Sequence, residues 1–191
     1  MFRIAALLLI GSATIGASLT HATAASAAFT SFTSRAAPNL SGTYLFDKKH
    51  SDDPSHALDE ATQSMGRFKR KAVQKRMSEG LKPADTLRIA MAGDTVSLQT
   101  SGRLHLQTVP GAEPKSRTGE NGGTVQLSSA WDGDTLVMKT ASDRFQREAR
   151  YALEPDGQSI RVAISMTGSK SSAPIQYALV YRRVAAPPAT T

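Results

Sequence analysis

The sequence predicts a mainly β protein: an antiparallel up-and-down meander of eight or nine strands forming a barrel or strongly curved sheet, with a basic amphipathic helical insertion after the first strand. Three observations carry this expectation. From Ala84 onward apolar and polar residues alternate with a period of two, as in strands with one buried face. Gly and Asp-Gly pairs separate the runs at hairpin spacing. Ser51–Pro83 breaks the alternation with apolar residues three and four apart, the spacing of one helix face.

The chain opens with Arg3, an apolar run Ile4–Ile10, and small residues ending in Ala22–Ala24 and Ala25–Ala27, both Ala-x-Ala. That pattern reads as a secretory signal peptide over 1–27, cleaved after Ala27 or Ala24, because the run is too short to span a bilayer. Export to the periplasm or beyond is the expected localisation. No Cys follows the apolar run, so a lipoprotein anchor is not expected, and disulfides are excluded throughout. Residues 28–39 and 185–191 (AAPPATT) lack large apolar side chains and read as flexible tails around one domain, 40–184.

Gly42–Phe46 is the first expected strand. Asp53 and Pro54 then read as the N-cap and first position of a helix, and Gly80 with Pro83 as its stop, giving an insertion over 54–80. Leu58, Ala61, Met65, Phe68 and Ala72 form its apolar stripe, with Phe68 and Ala72 as core anchors of the second half. Val73 and Met77 continue a displaced stripe, so the helix either bends near Gly66 or splits in two. The meander follows: Leu87/Ile89/Met91, Val96/Leu98, Leu104/Leu106, Val125/Leu127/Ser129, Leu136/Met138, Phe145/Ala149/Tyr151/Leu153, Ile160/Val162/Ile164/Met166 and Tyr177/Leu179/Tyr181. Residues 92–101 and 132–142 resemble each other (AGDTVSLQTS, DGDTLVMKTAS), one hairpin solution used twice rather than a repeat array.

The first strand reads Leu40-Ser41-Gly42-Thr43-Tyr44 and the last ends Tyr181-Arg182-Arg183. This resembles the lipocalin pattern, in which a Gly-x-Trp on the first strand meets an Arg near the end of the last; Tyr44 stands in the Trp position. The run from GTY through SDD, a helical insertion and paired strands at GD and DGD turns is also similar to uncharacterised secreted bacterial proteins with a lipocalin-like β-barrel. The resemblance covers most of 40–183 and implies a fold, leaving the ligand open.

Such a barrel implies a binding protein for a small apolar or amphipathic ligand, lined by Leu98, Leu127, Met138, Tyr151, Val162 and Tyr177. Arg147 falls on the same face, either to neutralise an anionic head group or to reach water at the rim. The net charge locates a second candidate. Without Arg3 the chain has 22 Lys and Arg against 16 Asp and Glu, and Arg67, Lys69, Arg70, Lys71, Lys75 and Arg76 account for the whole excess of six. As one helix, with Asp59 and Glu60 near its start, this order complements the helix dipole and needs no ligand. The alternative is docking to an anionic membrane surface, lipopolysaccharide or an acidic partner. Nucleic acid is not expected, since Phe68 is the lone aromatic of the stretch, and the expected state is a monomer.

Chemistry is sparse. GxSxG, HExxH and Walker motifs are absent, and there is no Cys. His50, Asp52, Asp53 and His56 match no metal-ligand spacing, His105 points away from the Leu104/Leu106 face, and Asp132 with Asp134 fit a hairpin turn. The sequence therefore predicts no metal, no cofactor and no catalytic residue. An enzyme built on His50/Asp52/Asp53 or on Asp132/Asp134 would need those side chains to converge.

Overall fold

The computed structural model describes residues 37–101, 104–118, 122–168 and 173–184; the expected signal peptide and C-terminal tail lie outside them. Ten antiparallel strands form a single curled half-barrel: β1 (Gly42–Phe46), β2 (Thr86–Ala92), β3 (Thr95–Thr100), β4 (His105–Thr108), β5 (Lys115–Thr118), β6 (Thr124–Asp132), β7 (Thr135–Ala141), β8 (Phe145–Leu153), β9 (Ser159–Gly168) and β10 (Ile175–Arg183). Their order is β4-β3-β2-β1-β10-β9-β8-β7-β6-β5, so β1 joins β10 and the meander runs outward from that seam. β5 is the strand that sequence periodicity misses: all four of its residues are exposed, so it carries no apolar alternation. Its Lys115 and Arg117 suit a sheet edge, where charge discourages pairing with other chains.

Hairpin chemistry sets the register. Ala92 pairs with Thr95 and Asp132 with Thr135, leaving two-residue loops that both begin with a glycine, Gly93 at φ 56° and Gly133 at φ 58°. A left-handed first loop residue matches the twist of the strands, and only glycine adopts it without cost. These two turns explain the internal resemblance noted above. With register set, the alternating apolar residues fall on one face and join a single buried cluster that includes Tyr44, Leu87, Ile89, Leu98, Leu136, Tyr151, Ile160, Val162 and Tyr181. The curl brings the far ends together. The hydroxyls of Thr108, at the end of β4, and Ser129, in β6, lie 2.8 Å apart in the core, and Gly111 N–H donates to the Ser129 carbonyl at 2.7 Å.

The expected meeting of first and last strands takes place, and Arg183 makes it. Tyr44 pairs with Arg183 in the ladder; the guanidinium carbon lies 5.2 Å from the centre of the Tyr44 ring, and its Nη2 donates to the Tyr44 hydroxyl at 2.7 Å. That hydroxyl in turn donates to the Leu40 carbonyl at 2.8 Å. Burial raises the Tyr44 pKa, against the lowering effect of Arg183. A Cβ on Gly42 would stand 3.1 Å from the Tyr44 ring, which accounts for glycine two residues before it. Arg182 takes a different partner, Asp47, just after β1.

The helical insertion is split into α1 (Pro54–Thr62) and α2 (Arg67–Leu81). Asp53 caps α1 by accepting from Ser55 N–H at 2.8 Å, and Pro54 occupies the first turn. Leu58 and Ala61 sink into the core cluster, and α1 lies against β10. In α2 the inward stripe is Val73, Met77 and Leu81, so the displaced stripe is the real one. Phe68 and Ala72 do not anchor the helix: both are exposed, Phe68 at 89 %. The break near Gly66 rotates the second half, so a stripe continued from α1 no longer points inward. Gly80 lies inside α2, which ends at Leu81, two residues before Pro83. Among the described residues no helix is long and apolar enough to cross a membrane.

Candidate functional site

Strand parity and register place Arg147 on the core-facing side of β8, where it pairs with Thr140 of β7 and Met166 of β9. Around it stand three phenols. Its positive charge lowers the pKa values of Tyr151, Tyr177 and Tyr181, but burial dominates and raises all three. Tyr181, crowded also by the other two phenols, is pushed up to about 12. Among the described residues no carboxylate forms an ion pair with Arg147. The Tyr151 hydroxyl accepts a hydrogen bond from Arg147, and Tyr181 has a backbone hydrogen bond with Ala84, so the cluster joins a half-buried cation to phenols that are partly satisfied from within.

The seven residues predicted to line an interior site separate into two sets. Leu98, Leu127, Met138, Tyr151 and Val162 are buried in the single core cluster. Arg147 and Tyr177, together with Thr140 and Ile164, also border a cavity of about 1190 Å³. Most of that cavity's wall is the opposite face of the same strands: Ser128, Lys139, Glu148, Arg150, Ser165 and Gln176. It is therefore an open groove along the outer face of β6–β10, whereas strand parity sets the side chains of Arg147 and Tyr177 on the inner face. Apart from Arg147 the groove's charges balance, Asp52 and Glu148 against Lys139 and Arg150. Glu148 takes Arg150 Nη1 at 3.1 Å and Lys139 at 3.6 Å, while Arg150 also pairs with Asp132.

The insertion carries a second concavity, a cleft of about 420 Å³ between α1 and α2 lined by Asp59, Gln63, Arg67, Arg70, Lys71 and Gln74. Gln74 donates to Asp59 at 2.7 Å. The six cations expected to bind anions thus divide: Arg67, Arg70 and Lys71 line the cleft, whereas Lys69, Lys75 and Arg76 are exposed outside it. The split of the helix also reverses the dipole argument. Asp59 and Glu60 fall at the C-terminal end of α1, and Arg67, Lys69, Arg70 and Lys71 at the N-terminal end of α2, so both sets oppose their helix dipoles. Sequence reasoning missed this because it depends on where the helix breaks.

The remaining polar candidates do not converge. His50 Nδ1 lies 2.8 Å from Asp47, whose carboxyl is held below its usual range first by that contact and then by Arg182. Asp52 accepts from Ala178 N–H at 2.7 Å, Asp53 caps α1, and His56 faces Glu60 at 3.6 Å on the surface. His105 is exposed on β4, and Asp132 and Asp134 belong to the β6–β7 turn. No group of three or more His, Cys, Asp or Glu side chains is placed to hold a metal among the described residues.

No family model matches the chain, and no curated protein matches its sequence. Solved structures match its fold. A secretory abundant heat soluble protein from Ramazzottius varieornatus is similar with a TM-score of 0.55 at 9% identity, over 76% of this chain and 95% of the other. A fatty acid transporter, REP1-NXSQ, gives 0.48 at 14% identity, covering 78% and 98%. A fatty acid-binding protein from Drosophila melanogaster brain gives 0.46 at 17%, covering 73% and 95%. At 9% identity the likeness with a TM-score of 0.55 shows the fold alone, a curled, lipocalin-like antiparallel β half-barrel.

Proposed function

We propose that this protein is an exported, non-catalytic binding protein that holds a small amphipathic ligand in its curled sheet, with an anionic head group at Arg147. One observation carries the reading: a core-facing guanidinium, without a carboxylate partner among the described residues, stands on the inner face of the sheet close to the phenols of Tyr151, Tyr177 and Tyr181. The tail would lie along the apolar bed of Leu127, Met138 and Ile164, entering past Met166, which is only half buried and whose unbranched side chain repacks easily. Leu98, Tyr151 and Val162 form the floor beyond it.

Titration calorimetry with dodecanoate and with dodecanol tests this. Both should bind saturably, the carboxylate more tightly. Arg147→Gln should weaken dodecanoate by about tenfold, the contribution of one charged hydrogen bond, and leave dodecanol unchanged. Saturable binding of neither compound overturns the reading.

A second reading, docking of the basic α2 on an anionic surface, is favoured by one observation of its own. Phe68 is 89 % exposed at the centre of the cationic face, where an aromatic ring does nothing for folding. Vesicle binding that falls steeply with added salt is its expected signature; salt-independent binding, or none, counts against it.

A further inference from the structure

The basic stretch is two surfaces, an inward cleft and an outward face. In the cleft, Arg67, Arg70 and Lys71 converge with the amides of Gln63 and Gln74 against a single carboxylate, Asp59, which already accepts from Gln74. The lining is therefore two positive charges in excess. None of these three cations is ion-paired with a carboxylate among the described residues. They also crowd the positive end of α2, a placement that costs folding free energy. An anion seated between the helices would relieve that repulsion. Outside the cleft, Phe68 projects into solvent, and Lys69, Lys75 and Arg76 are exposed on the same helix.

We propose that the α1–α2 cleft seats one lipid phosphate of an anionic phospholipid surface, while Phe68 enters the interfacial layer beside it. The inference rests on the second reading above and sharpens it to a defined phosphate site. A tetrahedral, doubly coordinated anion suits the planar forks of Arg67 and Arg70, which bind phosphate oxygens in pairs. Amphipathic helices at membranes place aromatic rings at the acyl boundary and cations at the head groups. Phe68 and its basic neighbours have that arrangement, and no soluble anion would need the ring.

The test is co-sedimentation of the whole chain with phosphatidylglycerol/phosphatidylcholine vesicles. Two triple variants remove equal charge: Arg67→Gln/Arg70→Gln/Lys71→Gln from the cleft, and Lys69→Gln/Lys75→Gln/Arg76→Gln from outside it. Both should weaken binding through lost general attraction, and the cleft variant by a further factor of about ten, one paired phosphate contact. Phe68→Ser should lower vesicle binding several-fold without altering the salt dependence. Inorganic phosphate at matched ionic strength should compete for the wild type and not for the cleft variant. Equal losses in the two triple variants overturn the cleft and leave the second reading standing. Phosphate binding without vesicle binding makes the site one for a free anion and overturns the lipid assignment. Failure of the wild type to bind phosphatidylglycerol overturns both.

Discussion

α1 and α2 come from one continuous insertion yet obey different rules. α1 is short, capped by Asp53, started by Pro54, and driven into the core by Leu58 and Ala61. α2 is longer, has no side-chain cap at Gly66, and fully buries Leu81 alone; half of its other residues are charged. One helix is held by apolar burial, and the other is held in place by its neighbour and left available to solvent. The difference shows that helical pattern alone does not say what a helix is for: the same chain segment supplies a plug and an exposed cationic face.

The sharpest way to break this comparison is to remove one apolar side chain from each helix. Leu58→Ala should cost about 2–4 kcal/mol in chemical denaturation, through lost burial and the cavity left behind. Phe68→Ala should change stability by less than about 0.5 kcal/mol, because the ring is already in water. Comparable losses would mean that α2 is as much a part of the core as α1.

Next in size is the core that α1 covers. Tyr181 keeps its proton to about pH 12 in the folded chain, while an unfolded tyrosine releases it near pH 10. The folded state therefore holds more protons between those values, and the Tyr181 contribution to stability, fully present below pH 10, should be lost as pH rises from 10 to 12. Tyr181→Phe should flatten that decline. A wild-type melting temperature unchanged across this window would contradict the burial of the phenol.

The caps distinguish the helices on a smaller scale. Asp53→Ala should cost about 1 kcal/mol by leaving the first turn of α1 unsatisfied. Lys69→Glu, in the first turn of α2, should stabilise by about 0.3–1 kcal/mol, since a carboxylate there favours the dipole that the lysine opposes. The same change should weaken binding to phosphatidylglycerol vesicles. A destabilised Lys69→Glu would mean that the cations of α2 serve the fold rather than a partner.

Much of the fold was legible because it depends on local rules. Alternation at Leu87/Ile89, Leu136/Met138 and Ile160/Val162/Ile164 implies a strand face, and Gly93 and Gly133 imply tight hairpins, whatever the rest of the chain does. β5 was hidden because KSRT has no buried face to alternate. Arg147 was legible as a core-facing cation from strand parity. Tyr151 and Tyr177 were legible as its neighbours on the inner face, but the influence of Tyr181 was not, because it depends on how β10 lies against β8 across β9.

By itself the sequence determined the mainly β meander, the place of the helical insertion and the concentration of net charge in residues 67–76, while the Tyr44–Arg meeting was implied only by the lipocalin resemblance. These follow from periods of two and four, from turn chemistry and from counting, which involve only near neighbours. Tertiary structure alone decided that the insertion breaks at Gly66, that Phe68 faces water, that Arg183 rather than Arg182 reaches Tyr44, and that the cations divide between a cleft and a surface. Those outcomes depend on the rotation of one helix against another and on which strand ends the curl brings together, quantities that residues distant in sequence set jointly.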